Sequence, residues 1–273
     1  MKNIFLVLGF LLLTSCSVNI LEEFSDTTTN EALFYDAKQL INSGDYTGAL
    51  DKFSDMSADY LEKREVKVLY ASAYLGLCSP MNFLDLVEAL GNIGATRVMV
   101  WLLSNFQGGN VGRQTACVQA ETLIKSIGSL GSVRTSDENL LMAFISFAKM
   151  GAIISRYGDS GTPDGTVDVG FDPCDVGDLP SADAKEFATG FNIAMDALEN
   201  IGSSTIGAGA LGPVTTVCAG LPVGYLPLCS DPPQVVTTDI DANEEKGIRT
   251  IINESQDVGL GVCTGNAAAC ACP

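Results

Sequence analysis

The chain contains no histidine. That removes Ser-His-Asp and Cys-His catalysis, histidine-ligated metal centres and the commonest general base. Basic residues are scarce: 15 Lys+Arg stand against 33 Asp+Glu, a net charge of −18. Such a surface repels nucleic acid and anionic headgroups, and suits cationic partners and divalent ions. Long apolar runs near the start are missing as well. The run Ile4 to Leu13 has ten residues, against the roughly 20 that a spanning helix needs. No segment alternates apolar and polar residues over many positions, so an extensive sheet is not expected. The single tryptophan, Trp101, lies among Phe and Tyr residues at helical spacing, which reads as core before ligand box. No phosphate loop is present either. Gly108-Gly109-Asn110-Val111-Gly112 lacks a following Lys-Ser/Thr, and no strand precedes it.

What is there begins with Lys2, the short apolar run and then Leu13-Thr14-Ser15-Cys16. A charged start and a short apolar core read as a signal peptide over 1–15. The four residues resemble the lipobox of bacterial lipoproteins. The resemblance implies lipidation of Cys16 by diacylglycerol and palmitate-type acyl chains, with cleavage leaving Cys16 first. Each buried methylene contributes about 0.8 kcal/mol, so several chains anchor stably. Ser17 stands where an aspartate would favour inner-membrane retention, which implies the outer membrane, with the domain facing the periplasm. Residues 16–29 are polar and suit a tether; 30–273 then form one domain.

Nine cysteines are present. With Cys16 assigned to lipid, Cys78, Cys117, Cys174, Cys218, Cys229, Cys263, Cys270 and Cys272 remain. An even remainder in an exported chain reads as disulfides. The sequence does not choose among 105 pairings. Cys270-Ala271-Cys272 offers thiolates to a soft metal, but no histidine is available to share the ligation.

The fold class expected is mainly α. Thr28 with Glu31 has capping-box spacing and starts a helix. Ser43-Gly44-Asp45 ends it, and a second helix runs from Tyr46 with Ala49, Leu50 and Phe53 on one face. A third begins near Leu61. Ala37, Leu40, Gly44-Asp45-Tyr46, Ala49 and Phe53 resemble the tetratricopeptide repeat, which implies a helical-hairpin array or irregular α-solenoid. The pattern departs at the second turn. Cys78-Ser79-Pro80 replaces Gly-x-Tyr, and Phe83 takes a small-residue position. Further helices are expected after Pro80 (Phe83, Leu84, Leu86, Val87 and Leu90, ending at Gly91), over Arg97 to Phe106 and over Gln114 to Ile127. The longest is expected from the Thr135–Glu138 capping box to about Tyr157. That last helix is apolar nearly all round, hence central. Lys149 within it argues against a membrane span. Repeat-like character thus covers 30–157. A helix from Ser181 and another capped by Asp241 with Glu244 lie in the cysteine-rich part 181–273. Gly202 to Pro233 is expected as a broken crossing pinned by disulfides, and Gly259 to Pro273 as a tail held by bridges.

The loop 158–180 carries Asp159, Asp164, Asp168, Asp172, Asp175 and Asp178 with no lysine or arginine. Asp164-Gly165-Thr166-Val167-Asp168 resembles the middle of an EF-type calcium loop. Ser160 falls at its first position, and Phe171 replaces the terminal glutamate. The resemblance implies calcium held by Ser160, Asp164, Asp168 and the Thr166 carbonyl, with Asp172 standing in for the missing glutamate. Solvated turns with Asx caps account for the same residues. No other cofactor is implied.

Two functional classes follow. The first is a lipid-anchored, non-enzymatic helical scaffold of the envelope that binds a protein or a small solute. It resembles tetratricopeptide lipoproteins of outer-membrane assembly and the helical lipoproteins that accompany solute transporters. The second is a periplasmic hydrolase using carboxylates. A Ser–Lys pair such as Ser155 with Lys149 is its other chemical option, but both residues sit in a core helix. The missing histidine and nucleophile motif favour the scaffold.

Overall fold

The computed structural model describes residues 28–81, 97–201, 215–229, 233 and 235–273. The expected signal peptide, Cys16, nearly all of the expected tether, and the helix expected after Pro80 lie outside these residues. The described chain is helical, with no strand among the described residues. Its helices are α1 Asn30–Ser43, α2 Tyr46–Ser54, α3 Ala58–Leu61, α4 Arg64–Cys78, α5 Val98–Asn105, α6 Val111–Ile127, α7 Ser136–Gly158, α8 Ser181–Ile201 and α9 Ala242–Asn253. A short helix also covers 215–220.

Local chemistry sets the boundaries. Thr29, not Thr28, caps α1, its Oγ1 accepting from Ala32 N at 3.2 Å. Two adjacent threonines offer the same oxygen, and the backbone takes the second. Gly44 ends α1 at φ +82°, a left-handed conformation open to glycine at little cost. Asp45 then caps α2 through Gly48 N. In place of one helix from Leu61 there is a single turn, α3, followed by α4 from Arg64. Asn110 caps α6, which starts three residues before Gln114. Both expected capping boxes, Thr135–Glu138 on α7 and Asp241–Glu244 on α9, are formed.

Two cores result. Leu33, Ala37, Ala49, Phe53, Met56, Val66 and Ala73 close the α1–α2 hairpin onto α4. Phe53 stacks on Tyr70 at 4.5 Å, and Tyr70 on Tyr74 at 5.1 Å. The repeat-like residues Ala37, Ala49 and Phe53 are fully buried there. The main core gathers α4, α5, α6 and α8 around α7. Helix α7 is long and apolar enough to cross a membrane by length and composition alone. Here other helices enclose it, as the all-round apolar pattern predicts. Trp101 is core, edge-on to Phe106 and Phe147.

All eight described cysteines are paired: Cys78–Cys117, Cys174–Cys272, Cys218–Cys229 and Cys263–Cys270. The first ties α4 to α6. The second ties the aspartate loop to the penultimate residue. The third joins the helix over 215–220 to the 3₁₀ turn Val223–Cys229. Glu254, fully buried, ends α9. Its carboxylate accepts from Gln256 N, Asp257 N, Val258 N and Gly259 N at 2.5–2.9 Å. Those four amides would otherwise be orphans of the following turn.

Candidate functional site

Helix α8 builds one wall of the candidate site. Phe187, Phe191 and Ala194 bury against the core. Asn192, Met195, Asp196, Glu199 and Asn200 recur at helical spacing along one edge, and all five line a cavity of about 470 Å³. Leu130 and Ser132, at the 3₁₀ turn Gly131–Val133, face them. Thr215, the Cys218–Cys229 bridge and Pro233 complete the described lining. This volume falls within the range of small-molecule sites.

The polar floor is fixed. Asp196 Oδ2 accepts from Arg134 Nη2 at 2.8 Å and from Gly131 N at 2.7 Å. Asn200 Nδ2 donates to Asp196 O at 2.8 Å. Arg134 also donates to Asn139 Oδ1 and Gly128 O. Burial pulls the Arg134 guanidinium below its ordinary range, and Asp196 opposes that shift. A Cβ at Gly131 would lie 2.6 Å from Asn200 Nδ2 and 2.8 Å from Asp196 O, so this turn meets α8 closely only as glycine. Glu199, at the rim, is exposed, and its side chain has no ion pair among the described residues.

A second polar group lies inside the bundle. Lys149, fully buried, places Nζ 2.5 Å from Glu121 Oε2 and 3.2 Å from Glu186 Oε2. It donates to Thr189 Oγ1 at 2.9 Å. Lys125 contacts the other Glu121 oxygen at 3.2 Å. Ser155 instead accepts from Gly109 N, so Ser155 and Lys149 are engaged separately and assemble no dyad.

The aspartate loop is ordered by its own carboxylates. Asp168 Oδ2 accepts from Ser160 N, Gly161 N and Ser160 Oγ at 2.7–3.1 Å. Asp164 Oδ1 accepts from Thr166 N and Oγ1, and Asp172 from Cys174 N. Buried Asp159 holds Asp164 N and Gly165 N. The Thr166 hydroxyl holds Asp164 below its ordinary pKa, and the Gly161 amide does the same for Asp168. Among the described residues no three Asp, Glu or Cys side chains gather as a metal site. Ser160 and Thr166 are thus donors, and Asp164, Asp168 and Asp172 acceptors, in local turns. Arg249 on α9 clamps the loop from outside, donating to Pro173 O and Leu179 O, both at 2.7 Å. Beside the loop, Tyr157 Oη donates to Asp183 at 2.5 Å. Burial, then this bond, pushes Tyr157 up to about 12.

The α8 cavity has no motif in the sequence. Its only local signal is the polar stripe of α8; its other walls arrive from distant segments. Comparison with family models, with curated proteins and with solved structures yields no match.

Proposed function

We propose that this chain is a lipid-anchored, non-enzymatic binding protein of the cell envelope that takes a small solute in the α8 cavity. The carrying observation is the cavity itself, about 470 Å³ with apolar Phe191 and Met195 beside amides and carboxylates. Such a mixture binds an apolar body and orients it through a few polar contacts. Asp196 is already held by Arg134 and Gly131 N. That suits a positioning role, because the carboxylate already holds two donors in place. Four disulfides suit an oxidising compartment; the Leu13-Thr14-Ser15-Cys16 box supports the anchor, and Ser17 the outer-membrane address.

Two measurements test this reading. Mass spectrometry of the protein from its own host should find acylated Cys16 at the N-terminus; an unmodified start elsewhere overturns the anchor. Calorimetric titration with a library of small envelope solutes should find ligands that bind more weakly to Met195→Trp, whose larger ring takes up part of the cavity. Binding unchanged in that variant overturns the site.

A further inference from the structure

We infer that the solute of this cavity is an organic cation, an amine carrying an apolar or aromatic body, with Glu199 as its counter-charge. The inference rests on the cavity being a binding site and goes on to its ligand class. None of the described lining residues is basic. The nearest buried cation, Arg134, spends its charge on Asp196 at 2.8 Å, with Asn139 and Gly128 O taking its other donors. It offers nothing to an anionic ligand. Asp196 in turn is filled by Arg134, Gly131 N and Asn200, so its charge is compensated in place. Glu199 is different. It lies one turn further along the same edge of α8, lines the same cavity, and carries no compensating charge among the described residues.

The lining therefore presents one uncompensated negative charge at an accessible rim. Ser132 and Asn200 line the same cavity, and Phe191 and Met195 give it an apolar side. An ammonium at the rim meets a carboxylate and neutral acceptors, while its apolar body is removed from water. An anion of the same shape meets Glu199 and the field of a chain with net charge −18. A neutral alcohol of the same shape gains only the apolar part.

Three probes of one shape separate these cases: tryptamine, its alcohol analogue tryptophol, and indole-3-propionate. Each is titrated calorimetrically at low salt into the parent, Glu199→Gln and Met195→Trp. We expect tryptamine to bind on the order of fivefold tighter than tryptophol, the size of a solvent-exposed charge pair. Indole-3-propionate should bind weakest. Glu199→Gln should equalise tryptamine and tryptophol while both still bind, and high salt should narrow the gap in the parent. Met195→Trp should weaken binding of all three. Equal affinity of the three probes in the parent, or a tryptamine preference that survives Glu199→Gln, overturns the cation inference and leaves the cavity reading standing. Binding of no probe to the parent, or binding unaffected by Met195→Trp, overturns both.

Discussion

Replacing Lys149 by methionine tests whether the polar group inside the bundle behaves as a buried ion pair. The two side chains that matter most are removed from water: Lys149 is 0 % exposed and Glu121 5 %. At an effective dielectric of about 20, a contact of 2.5 Å corresponds to about 7 kcal/mol of attraction, and one of 3.2 Å to about 5 kcal/mol. Desolvating each ion costs several kcal/mol and cancels much of this. The net value of the pair is therefore small, but removing one partner is expensive. It leaves Glu121 charged and buried, with only Lys125 beside it. Breaking a buried pair in this way costs about 3–5 kcal/mol. Lys125 retains its contact, so the lower end, about 3 kcal/mol, is expected. For a chain of this size that lowers Tm by roughly 10 °C. Lys149→Met with Glu121→Leu should recover most of the loss, because two apolar residues of similar volume replace the pair. Urea unfolding followed by circular dichroism and Trp101 fluorescence, with disulfides intact, measures the parent, Lys149→Met, Glu121→Leu and the double variant. A single variant costing less than about 1 kcal/mol refutes the reasoning. So does a double variant whose loss is the sum of the two single ones.

Three further outcomes follow from the geometry. Asp168→Asn should lower Tm by the same amount in millimolar calcium and in chelator, because its partners are the Ser160 and Gly161 amides and the Ser160 hydroxyl. A calcium-dependent rise in the parent that this variant loses would instead make the loop a metal site. Tyr70 and Tyr157 are both pushed up to about 12, so absorbance at 295 nm should show a step well above pH 10 that shrinks in Tyr70→Phe and in Tyr157→Phe. The unfolded chain releases those protons first, near 10, so their contribution is complete below pH 10 and is lost as pH climbs toward 12; a high-pH step unchanged in both variants contradicts the burial. Cys174→Ser with Cys272→Ser opens a loop of sequence separation 98. It should cost about 4–5 kcal/mol on the chain-entropy estimate; an unchanged urea midpoint would show that the bridge does not constrain the unfolded chain.

The helices and their caps were legible because their causes are local. Thr135 with Glu138 and Asp241 with Glu244 contain both halves of the interaction within one turn. The α1 cap slipped by one residue because Thr28 and Thr29 carry the same hydroxyl. A lone lysine in the apolar run of α7 was visible as an anomaly. Its partners were not, since Glu121 and Glu186 are brought to it by tertiary packing alone. The aspartates of 158–180 show a different difficulty. A carboxylate next to glycine is what a calcium loop requires and also what an Asx turn requires. Asp164 and Asp168 each turn one oxygen onto nearby amides, which both kinds of loop do. The cavity needed α8, the turn at Gly131 and the Cys218–Cys229 bridge together, and no short window of sequence holds all three.

The Cys174–Cys272 bridge has a mechanical consequence. Sulfur joins the penultimate residue of the chain to a residue 98 positions earlier. Cys218–Cys229 and Cys263–Cys270 lie inside that ring. A force applied between the N-terminus and Pro273 therefore runs from Cys174 straight across to Cys272 and bypasses α8 and α9. About 330 Å of contour, at roughly 3.4 Å per residue, never comes under tension. The wall of the cavity built by α8 belongs to that shielded length. A pull along the chain can strip away α1, α2 and α4 while the covalent ring keeps α8, the 218–229 bridge and the tail in one piece.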